Sequence, residues 1–191
     1  MNIGHRILMH MFGRPAGLLG RLGGAIMARM NRPFAAWVIG LLDLKPDDEV
    51  LEVGFGPGAG IELLAKSVRS GHIAGVDASR TMTGQARARN AKAIESGQVD
   101  LRYGFAENLP FDRDIFTKVL AINSMQVWPD AMAGLREVKR VMTPGGKIAL
   151  GFTIHSGQSR SEVPELLAAA GFAEIRIAET EQGFCVLAVK P

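Results

Sequence analysis

The stretch VLEVGFGPGAG, residues 50–60, is the strongest indication of the fold of this 191-residue chain. A short apolar run ends at residue 53 after an acidic side chain, glycines then alternate with other residues, and a helical pattern follows. This order is typical of a buried parallel strand, a tight turn and the start of a helix. Glycine permits positive φ and a close ligand approach, and a helix N-terminus offers free N–H groups. The stretch therefore predicts a cofactor site.

Strand-like and helix-like patterns alternate downstream of this turn. Such alternation predicts a parallel sheet that is covered by helices on both faces. Asp77 closes the second strand, and Ser79 is the expected N-cap of the helix that follows. The predicted strands are 49–53, 72–76, 99–103, 118–122 and 147–152, the last after a turn at 144–146, and the predicted helices are 58–68, 79–94 and 130–142.

The C-terminal segment has a different pattern. Ser159 and Glu162 have the spacing of a capping box, which predicts a helix that Gly171 stops. Two strand-like runs follow, at 173–180 and 184–189, with three residues between them. Because so short a link excludes a helical crossover, the two strands must pair antiparallel. The fold class is therefore α/β, with a doubly wound, mostly parallel sheet of seven strands whose last strand is reversed.

Residues 1–42 differ from the remainder in charge. They hold five of the 22 basic residues and no acidic residue, so the rest of the chain carries a small acidic excess. Pro33 predicts a helix over 34–42, and helical spacing from Leu18 to Met30 predicts further helix before it. We expect a helical arm or lid over 1–42 and the main domain over 43–191. The arm is interpreted as a solvated basic helix that packs on the domain, with peripheral membrane or nucleic-acid contact as the alternative.

The composition, 47% hydrophobic and 21% charged, is that of a globular domain with a sizeable core. Cys185 is the one cysteine, which excludes an internal disulfide and a cysteine-rich zinc site, and its apolar surroundings predict an inert buried thiol. The scattered histidines predict no metal site. We expect a cytoplasmic protein without a membrane span, because the chain lacks the roughly 20-residue apolar run that a span requires.

Polar residues follow four of the predicted strands, where an open doubly wound sheet binds its ligand. Asp77 lies 19 residues after Gly58, at the spacing from which a carboxylate binds ribose hydroxyls in nucleotide-binding units. Glu52 sits inside an apolar run, so its carboxylate needs a partner, either a cationic ligand or N–H groups of the loop. Residues 104–107 and 123–124 follow the third and fourth strands.

Four motifs in one order carry a resemblance to a known family. They are EVGFGPG at 52–58, GVDAS at 75–79, AENLPF at 106–111 and EVKRVMTPGG at 137–146. Together they resemble the class I S-adenosylmethionine-dependent methyltransferases, in the small-molecule branch similar to the ubiquinone/menaquinone-biosynthesis C-methyltransferases. The resemblance covers residue 50 to the C-terminus. It implies the Rossmann-like methyltransferase fold, S-adenosylmethionine as cofactor and S-adenosylhomocysteine as product.

The resemblance also implies which residues hold the methionine part of the cofactor. Glu52 would order the loop or bind the ammonium group, and Asn123 and Ser124 would lie near the reacting sulfonium. The remaining members of this set form the turn after the first strand and are Gly54, Phe55, Gly56 and Gly58.

For the adenosine part, the resemblance assigns the ribose hydroxyls to Asp77. Phe105 stands where the family often has an aspartate that binds the adenine amino group. This departure removes a polar contact and is compensated by stacking, or by base recognition through other residues. The residues that would pack on the adenine or recognise its edge are Ala78, Met82, Ala106 and Glu107.

The reaction requires few functional groups from the protein. The sulfonium methyl is already electrophilic, so in-line displacement requires alignment and removal of water. We assign no catalytic residue, although His5, His10 and His155 are the candidate bases. Gln126 and Trp128, together with His155, are the candidate contacts for a small-molecule acceptor. Trp128 is interpreted equally well as a core residue that anchors the next helix. Nucleic-acid methylation is not expected, because residues 123–126 lack the Asn-Pro-Pro-aromatic arrangement.

Two alternative functions stay open at this stage. The spacing Gly54-x-Gly56-x-x-Ala59 also satisfies the looser dinucleotide fingerprint, which with Asp77 would suit an NAD-binding oxidoreductase. A protein that binds S-adenosylmethionine without turning it over is the second alternative, since few residues link the fifth strand to the next helix. The acceptor, its attacking atom and the oligomeric state also stay open.

Overall fold

The computed structural model describes residues 31–191 and centres on one seven-stranded sheet. The strands are β1 (Glu49–Val53), β2 (His72–Asp77), β3 (Val99–Tyr103), β4 (Phe116–Ile122), β5 (Met142–Thr153), β6 (Ala173–Thr180) and β7 (Gly183–Val189). The helices are α1 (Arg32–Leu41), α2 (Ala59–Ser67), α3 (Arg80–Arg89), α4 (Ala91–Glu95), α5 (Ala131–Val141) and α6 (Glu162–Ala169), with a 3-10 turn at Met125–Val127.

The strand order is β3-β2-β1-β4-β5-β7-β6. β1 pairs in parallel with β2 and β4, whereas β7 runs antiparallel to both of its neighbours, β5 and β6. The chain winds from β1 outward through β2 to β3 and then returns to β4 on the other side of β1. The doubly wound sheet with a reversed last strand is therefore confirmed, and its topological switch point lies between β1 and β4.

Two hydrophobic clusters cover the two faces of the sheet. Because side chains alternate along a strand, Leu51 faces one cluster and its neighbour Val50 faces the other. Leu135 of α5 and Val163 of α6 belong to the first cluster. The second cluster contains Phe34 of α1, together with residues of α2 and α3. The helices on both faces were predicted from the alternating sequence pattern.

The helix predicted over 79–94 is interrupted at Asn90. Its side-chain amide donates hydrogen bonds to the carbonyl oxygens of Ala86, at 2.9 Å, and Gly58, at 3.1 Å. Asn90 is 5% exposed, so these bonds satisfy a buried amide and join α3 to the glycine turn. The N-cap prediction for Ser79 is confirmed, since its Oγ accepts the Met82 N–H at 3.3 Å.

The predicted turn at 144–146 lies inside β5, which spans Met142–Thr153. Gly145 has φ +77°, and its N–H donates to the carbonyl of Lys190 at 2.8 Å. The Lys190 N–H in turn donates to the Gly146 carbonyl at 2.9 Å. The Pro-Gly-Gly segment thus stays paired with the chain that follows β7, and the prediction that the strand begins at residue 147 was wrong.

The predicted capping box at Ser159 was also wrong. The N-cap of α6 is Ser161, whose Oγ lies 3.1 Å from the Ser159 Oγ, and Ser161 makes no capping hydrogen bond to the residues that the structure describes. The predicted stop at Gly171 is confirmed by its φ of +83°. Cys185 is fully buried, and burial raises the pKa of its thiol to about 12, as an inert thiol requires.

The helix that Pro33 predicts is confirmed as α1, whose Phe34 and Val38 are buried. The helices predicted before it lie outside the described residues, as do His5, His10 and Arg6, Arg14, Arg21 and Arg29. The proposed division of the chain at residues 42 and 43 stays a prediction. Across residues 31–191, each helix is too short or too polar to traverse a lipid bilayer.

Candidate functional site

A cavity of about 220 Å³ lies at the carboxyl ends of the parallel strands, beside the switch point. It is formed by residues that follow β1, β2, β3 and β4, as the sequence predicted from the polar residues at those strand ends. The residues predicted from sequence that line it are Glu52, Gly54, Phe55, Gly56, Asp77, Ala78, Met82, Phe105, Ala106, Glu107, Asn123, Ser124 and Trp128.

Three predicted site residues lie elsewhere. Gly58 packs against α3, where a Cβ at its position would lie 2.9 Å from the Ala86 Cα. His155 is exposed in the segment after β5. Gln126 is half-buried in the 3-10 turn, and its Oε1 has no hydrogen-bond partner within the described part of the chain. Of the three, Gly58 has a clear structural role, since it lets the glycine turn approach α3.

The glycine turn brings backbone and side chains closer than other residues would allow. Gly54 has φ +79°, and a Cβ there would lie 1.9 Å from the Ser124 Oγ. A Cβ at Gly60, on the first turn of α2, would lie 2.3 Å from the Glu52 Oε1. Gly54 is therefore required both for its backbone conformation and for the contact with Ser124, whereas Gly60 is required only for the contact with Glu52.

Glu52 is a buried carboxyl at the end of β1, only 4% exposed. Its pKa is raised to about 8, first by burial and second by the negative charge of Asp77, and a hydrogen bond from the Ile61 N–H partly offsets these two effects. Its Oε2 has no hydrogen-bond partner among residues 31–191. Two N–H groups of the glycine turn are engaged elsewhere, since the Gly54 N–H donates to the Val76 carbonyl at 2.7 Å and the Gly56 N–H donates to the Asp77 Oδ2 at 2.8 Å. Glu52 therefore remains available for a cationic ligand.

Asp77 at the end of β2 holds the glycine turn and the start of α3 together. Its Oδ2 accepts the Gly56 N–H at 2.8 Å, and its Oδ1 accepts the Ser79 N–H at 2.8 Å. Burial raises the pKa of Asp77 despite these two hydrogen bonds, which act in the opposite direction. A carboxylate oxygen can accept more than one hydrogen bond, so the Oδ1 and Oδ2 of Asp77 can each also accept one from a ligand hydroxyl.

An exposed aromatic side chain forms the next part of the cavity, after β3. Phe105 is 42% exposed and contacts Tyr103 edge to face, with ring centroids 5.8 Å apart. The Arg80 guanidinium lies 4.1 Å from the centroid of the Tyr103 ring. Glu107 is already engaged, because its Oε1 accepts the Asp130 N–H at 3.1 Å before α5. The residue best placed to provide a flat apolar surface here is therefore Phe105.

The wall after β4 is built around Trp128. Its indole N–H donates to the Ser124 Oγ at 2.9 Å. Its ring lies against α5, where a Cβ on Gly134 would be 2.6 Å from the indole. The sequence left two interpretations of this tryptophan, a substrate contact and a core anchor. The structure combines them, since Trp128 packs on α5 and also lines the cavity.

Asn123 connects this wall to β5. Its side-chain oxygen accepts the Thr153 N–H at 2.9 Å, and its own backbone has φ +49°. Asparagine is one of the few residues that adopt this left-handed conformation readily. Asn123 thus fixes the chain reversal after β4, which places Ser124 opposite Gly54.

The part of the cavity that α1 and the residue before it form was not predicted from the sequence. Asn31, Arg32 and Ala35 line it. The Arg32 guanidinium makes two hydrogen bonds to the Glu62 carboxylate, at 2.9 and 3.3 Å. One sequence signal points to Arg32, namely its position at the start of the helix that Pro33 opens.

Known proteins are similar to this chain in sequence. A family model described as a methyltransferase domain matches residues 50–146. An uncharacterized methyltransferase of Bacillus subtilis, YdaC, is 30% identical over 182 residues, which cover 89% of this chain and 98% of that protein. A demethylmenaquinone methyltransferase of Bacillus cereus is 33% identical over 109 residues, 56% of this chain and 46% of that protein.

Solved structures show the same fold. An S-adenosylmethionine-dependent methyltransferase from Aquifex aeolicus superimposes with a TM-score of 0.75 at 22% identity, covering 82% of this chain and 89% of that chain. A putative S-adenosylmethionine-dependent methyltransferase from Methanococcus maripaludis gives a TM-score of 0.74 at 20% identity, with 88% and 92% covered.

Proposed function

This chain belongs to the methyltransferase domain family and is an S-adenosylmethionine-dependent methyltransferase, and we propose that it transfers the methyl group to a small-molecule acceptor by in-line displacement. We further propose that the cavity at the strand ends is where cofactor and acceptor meet. The observation that carries this proposal is the pair of carboxyls, Glu52 and Asp77, at the ends of adjacent strands in one cavity. The two groups suit the two polar parts of the cofactor.

Glu52 binds the ammonium group of the methionine moiety. A buried carboxyl with a pKa of about 8 is costly to ionise, and a cation beside it removes that cost. The Glu52 Oε2 supports this role, because it has no hydrogen-bond partner among the described residues. A buried polar atom without a partner is rare in folded proteins. Asp77 accepts the ribose hydroxyls while its backbone hydrogen bonds keep the glycine turn in place.

The adenine lies between residues that follow β2 and β3. Phe105 stacks on the base, and Ala78 and Met82 pack against it; all three line the cavity. Stacking on an aromatic ring compensates for the polar contact that an aspartate makes in relatives of this type. This assignment follows from the exposure of Phe105, whose ring is free to receive a flat ligand.

The bound cofactor supplies an electrophilic methyl group, so the protein's contribution is to position the acceptor and exclude water. Trp128 and Val127 form the apolar wall beside the cavity. The hydrogen bond from the Trp128 indole to Ser124 fixes the ring relative to the glycine turn. A rigid wall of this kind aligns an acceptor without a general base, and we assign no base to the reaction.

The exposed apolar residues of the cavity favour a flat organic acceptor. In the wall after β4, Val127 is 43% exposed and Trp128 offers an aromatic face. The Bacillus cereus relative is by name a demethylmenaquinone methyltransferase, which agrees with an aromatic acceptor, although the match covers less than half of that protein. The comparisons favour neither an NAD-dependent oxidoreductase nor a protein without turnover.

The proposal is tested by incubating the full chain with S-adenosylmethionine and a panel of phenols, hydroquinones, amines and thiols. Formation of S-adenosylhomocysteine and of methylated product is followed by mass spectrometry. We expect turnover with at least one flat aromatic acceptor, strong loss of turnover in Asp77→Ala, and unchanged turnover in Asp112→Ala as a matched control. Tight cofactor binding without methylation of any acceptor would contradict the proposed reaction.

A further inference from the structure

The charges that line the cavity are unevenly distributed. Three carboxyls, those of Glu52, Asp77 and Glu107, line it. Within residues 31–191, Arg32 is the one lysine or arginine that does so. The methionine moiety of the cofactor is a zwitterion, whose carboxylate and ammonium are attached to the same carbon atom. The carboxyls of the site favour the ammonium and repel the carboxylate, so a cation beside the carboxylate would favour binding of the zwitterion.

Arg32 lies at the end of the cavity where Glu52 is found. Its partner Glu62 is on the first turn of α2, two residues after Gly60, which packs directly against the Glu52 carboxyl. Ala59 and Gly60 of the same helix line the cavity next to the glycine turn. The adenosine residues Asp77 and Phe105 belong to other strand ends. The cation is therefore placed with the methionine moiety and not with the base.

Arg32 keeps donors for a second carboxylate. Its ion pair with Glu62 uses one N–H on each terminal nitrogen, at 2.9 and 3.3 Å, whereas a guanidinium carries five N–H donors. Its side chain is 36% exposed, so the remaining donors are not enclosed by protein. The pair with Glu62 holds the guanidinium at the cavity edge before any ligand arrives, which lowers the entropic cost of binding.

We propose that Arg32 binds the carboxylate of the cofactor's methionine moiety, with Glu62 holding the guanidinium in position. Together with Glu52, which takes the ammonium, the two side chains recognise the amino-acid end as a zwitterion. This inference rests on the proposed placement of the cofactor in the cavity. It makes Arg32 a specificity-determining residue for a carboxylate-bearing cofactor.

The test compares S-adenosylmethionine with decarboxylated S-adenosylmethionine, which lacks only the carboxylate. Calorimetric titrations are made with the full-length wild type, Arg32→Ala, Arg32→Lys and Arg160→Ala. Arg160 is a matched control, because it is a surface arginine paired with Glu179 outside the cavity. We expect Arg32→Ala to weaken binding of S-adenosylmethionine about ten- to hundredfold, with Arg32→Lys between it and the wild type. Binding of the decarboxylated cofactor should change less than threefold in every variant.

A Glu62→Gln variant distinguishes two roles of Arg32, binding of the cofactor carboxylate and attachment of α1 to α2. If Arg32 served only to attach α1 to α2, Glu62→Gln and Arg32→Ala would weaken both ligands equally, which would overturn the inference. If Arg32 binds the carboxylate, Glu62→Gln should keep S-adenosylmethionine affinity within about threefold of the wild type. Absence of binding by the wild type would instead contradict the cofactor site itself, so the two failures are distinguishable.

Discussion

The two sides of the cavity are constructed in different ways. On the side of β1 and β2, backbone N–H groups and carboxyls fix the geometry, with Asp77 bonded to both the glycine turn and α3. On the side of β4, Trp128 and Val127 form an apolar surface, with Val127 43% exposed, and the polar residues Ser124 and Asn123 hold the wall through hydrogen bonds to Trp128 and Thr153. The first side is determined by close packing that tolerates little change, whereas the second is determined by shape and apolar surface. This difference suits an invariant cofactor and a variable acceptor.

The first prediction distinguishes the energetic cost of a steric clash in the glycine turn from the cost of positive φ alone. Gly54→Ala places a Cβ 1.9 Å from the Ser124 Oγ at φ +79°, so we expect a loss of about 3 kcal/mol in the free energy of unfolding. Gly56→Ala is the control, because φ is also positive, at +53°, but no atom of the described chain lies within 4 Å. It should cost only about 1 kcal/mol. Equal losses in urea denaturation would contradict the packing argument.

The second prediction concerns Glu52 and pH. Its pKa of about 8 in the folded protein lies above the ordinary value of 4.5, so folding favours the protonated form. Its contribution to stability is complete below pH 4.5 and is lost as the pH rises towards 8. Relative to Glu52→Gln, the wild type should therefore lose about 3 kcal/mol of unfolding free energy between pH 5 and pH 8.

Denaturation of the ligand-free proteins at several pH values measures this difference. Asp77, whose pKa is also raised, is present in both proteins and cancels to first order. Glu165 lies on the exposed face of α6, so Glu165→Gln is the control. The difference in unfolding free energy between this variant and the wild type should stay constant from pH 5 to pH 8. A constant difference between wild type and Glu52→Gln from pH 5 to pH 8 would show that the buried carboxyl is not protonated as described.

The third prediction tests the ribose contact. Asp77→Ala should weaken S-adenosylhomocysteine binding by about 1 to 3 kcal/mol, because a charged acceptor for two hydroxyls is lost. Asp100→Ala is the matched control, an acid on the neighbouring strand β3 that pairs with Arg102. Its affinity should equal that of the wild type in calorimetric titration. Unchanged affinity in Asp77→Ala would remove this residue from the site.

The smallest effect is expected on the acceptor side. Trp128→Phe keeps an aromatic ring against Gly134 but loses the N–H bond to Ser124. We expect kcat/KM for the acceptor to fall by a factor that corresponds to about 1 kcal/mol, while cofactor affinity stays unchanged. Trp37→Phe, in the α1 contact with Phe34, is the control. If Trp128→Phe reduced cofactor affinity as much as kcat/KM for the acceptor, the wall after β4 would not act separately from the cofactor side of the cavity.

Much of the fold was predictable because its signals are local. Strand-like runs that end before Gly54 and Gly104 predicted β1 and β3 with their correct limits, and the three-residue link at 181–183 required the antiparallel β6 and β7 pair. The errors arose where long-range contacts prevail over local pattern. Asn90 ends α3 because its amide bonds the glycine turn, and the Pro-Gly-Gly segment remains in β5 because Lys190 pairs with it.

The site was predictable to the extent that strand ends converge. Glu52, Asp77 and Phe105 lie on the predicted cavity because the order of elements fixes where each strand ends. Gln126 and His155 do not line it, since sequence adjacency does not tell in which direction a loop turns. Arg32 was missed because its position depends on how α1 packs against α2, a contact that no local pattern encodes.

Proton release on cofactor binding tests the central claim, that Glu52 receives the ammonium of S-adenosylmethionine. Titrations at pH 6.5 in two buffers of different ionisation enthalpy measure the number of protons released. Because the folded-state pKa of Glu52 is about 8, it is protonated in the ligand-free protein and must ionise beside a cation. The wild type should release close to one proton more than Glu52→Gln. Equal release by the two proteins, with both binding the cofactor, would contradict the claim.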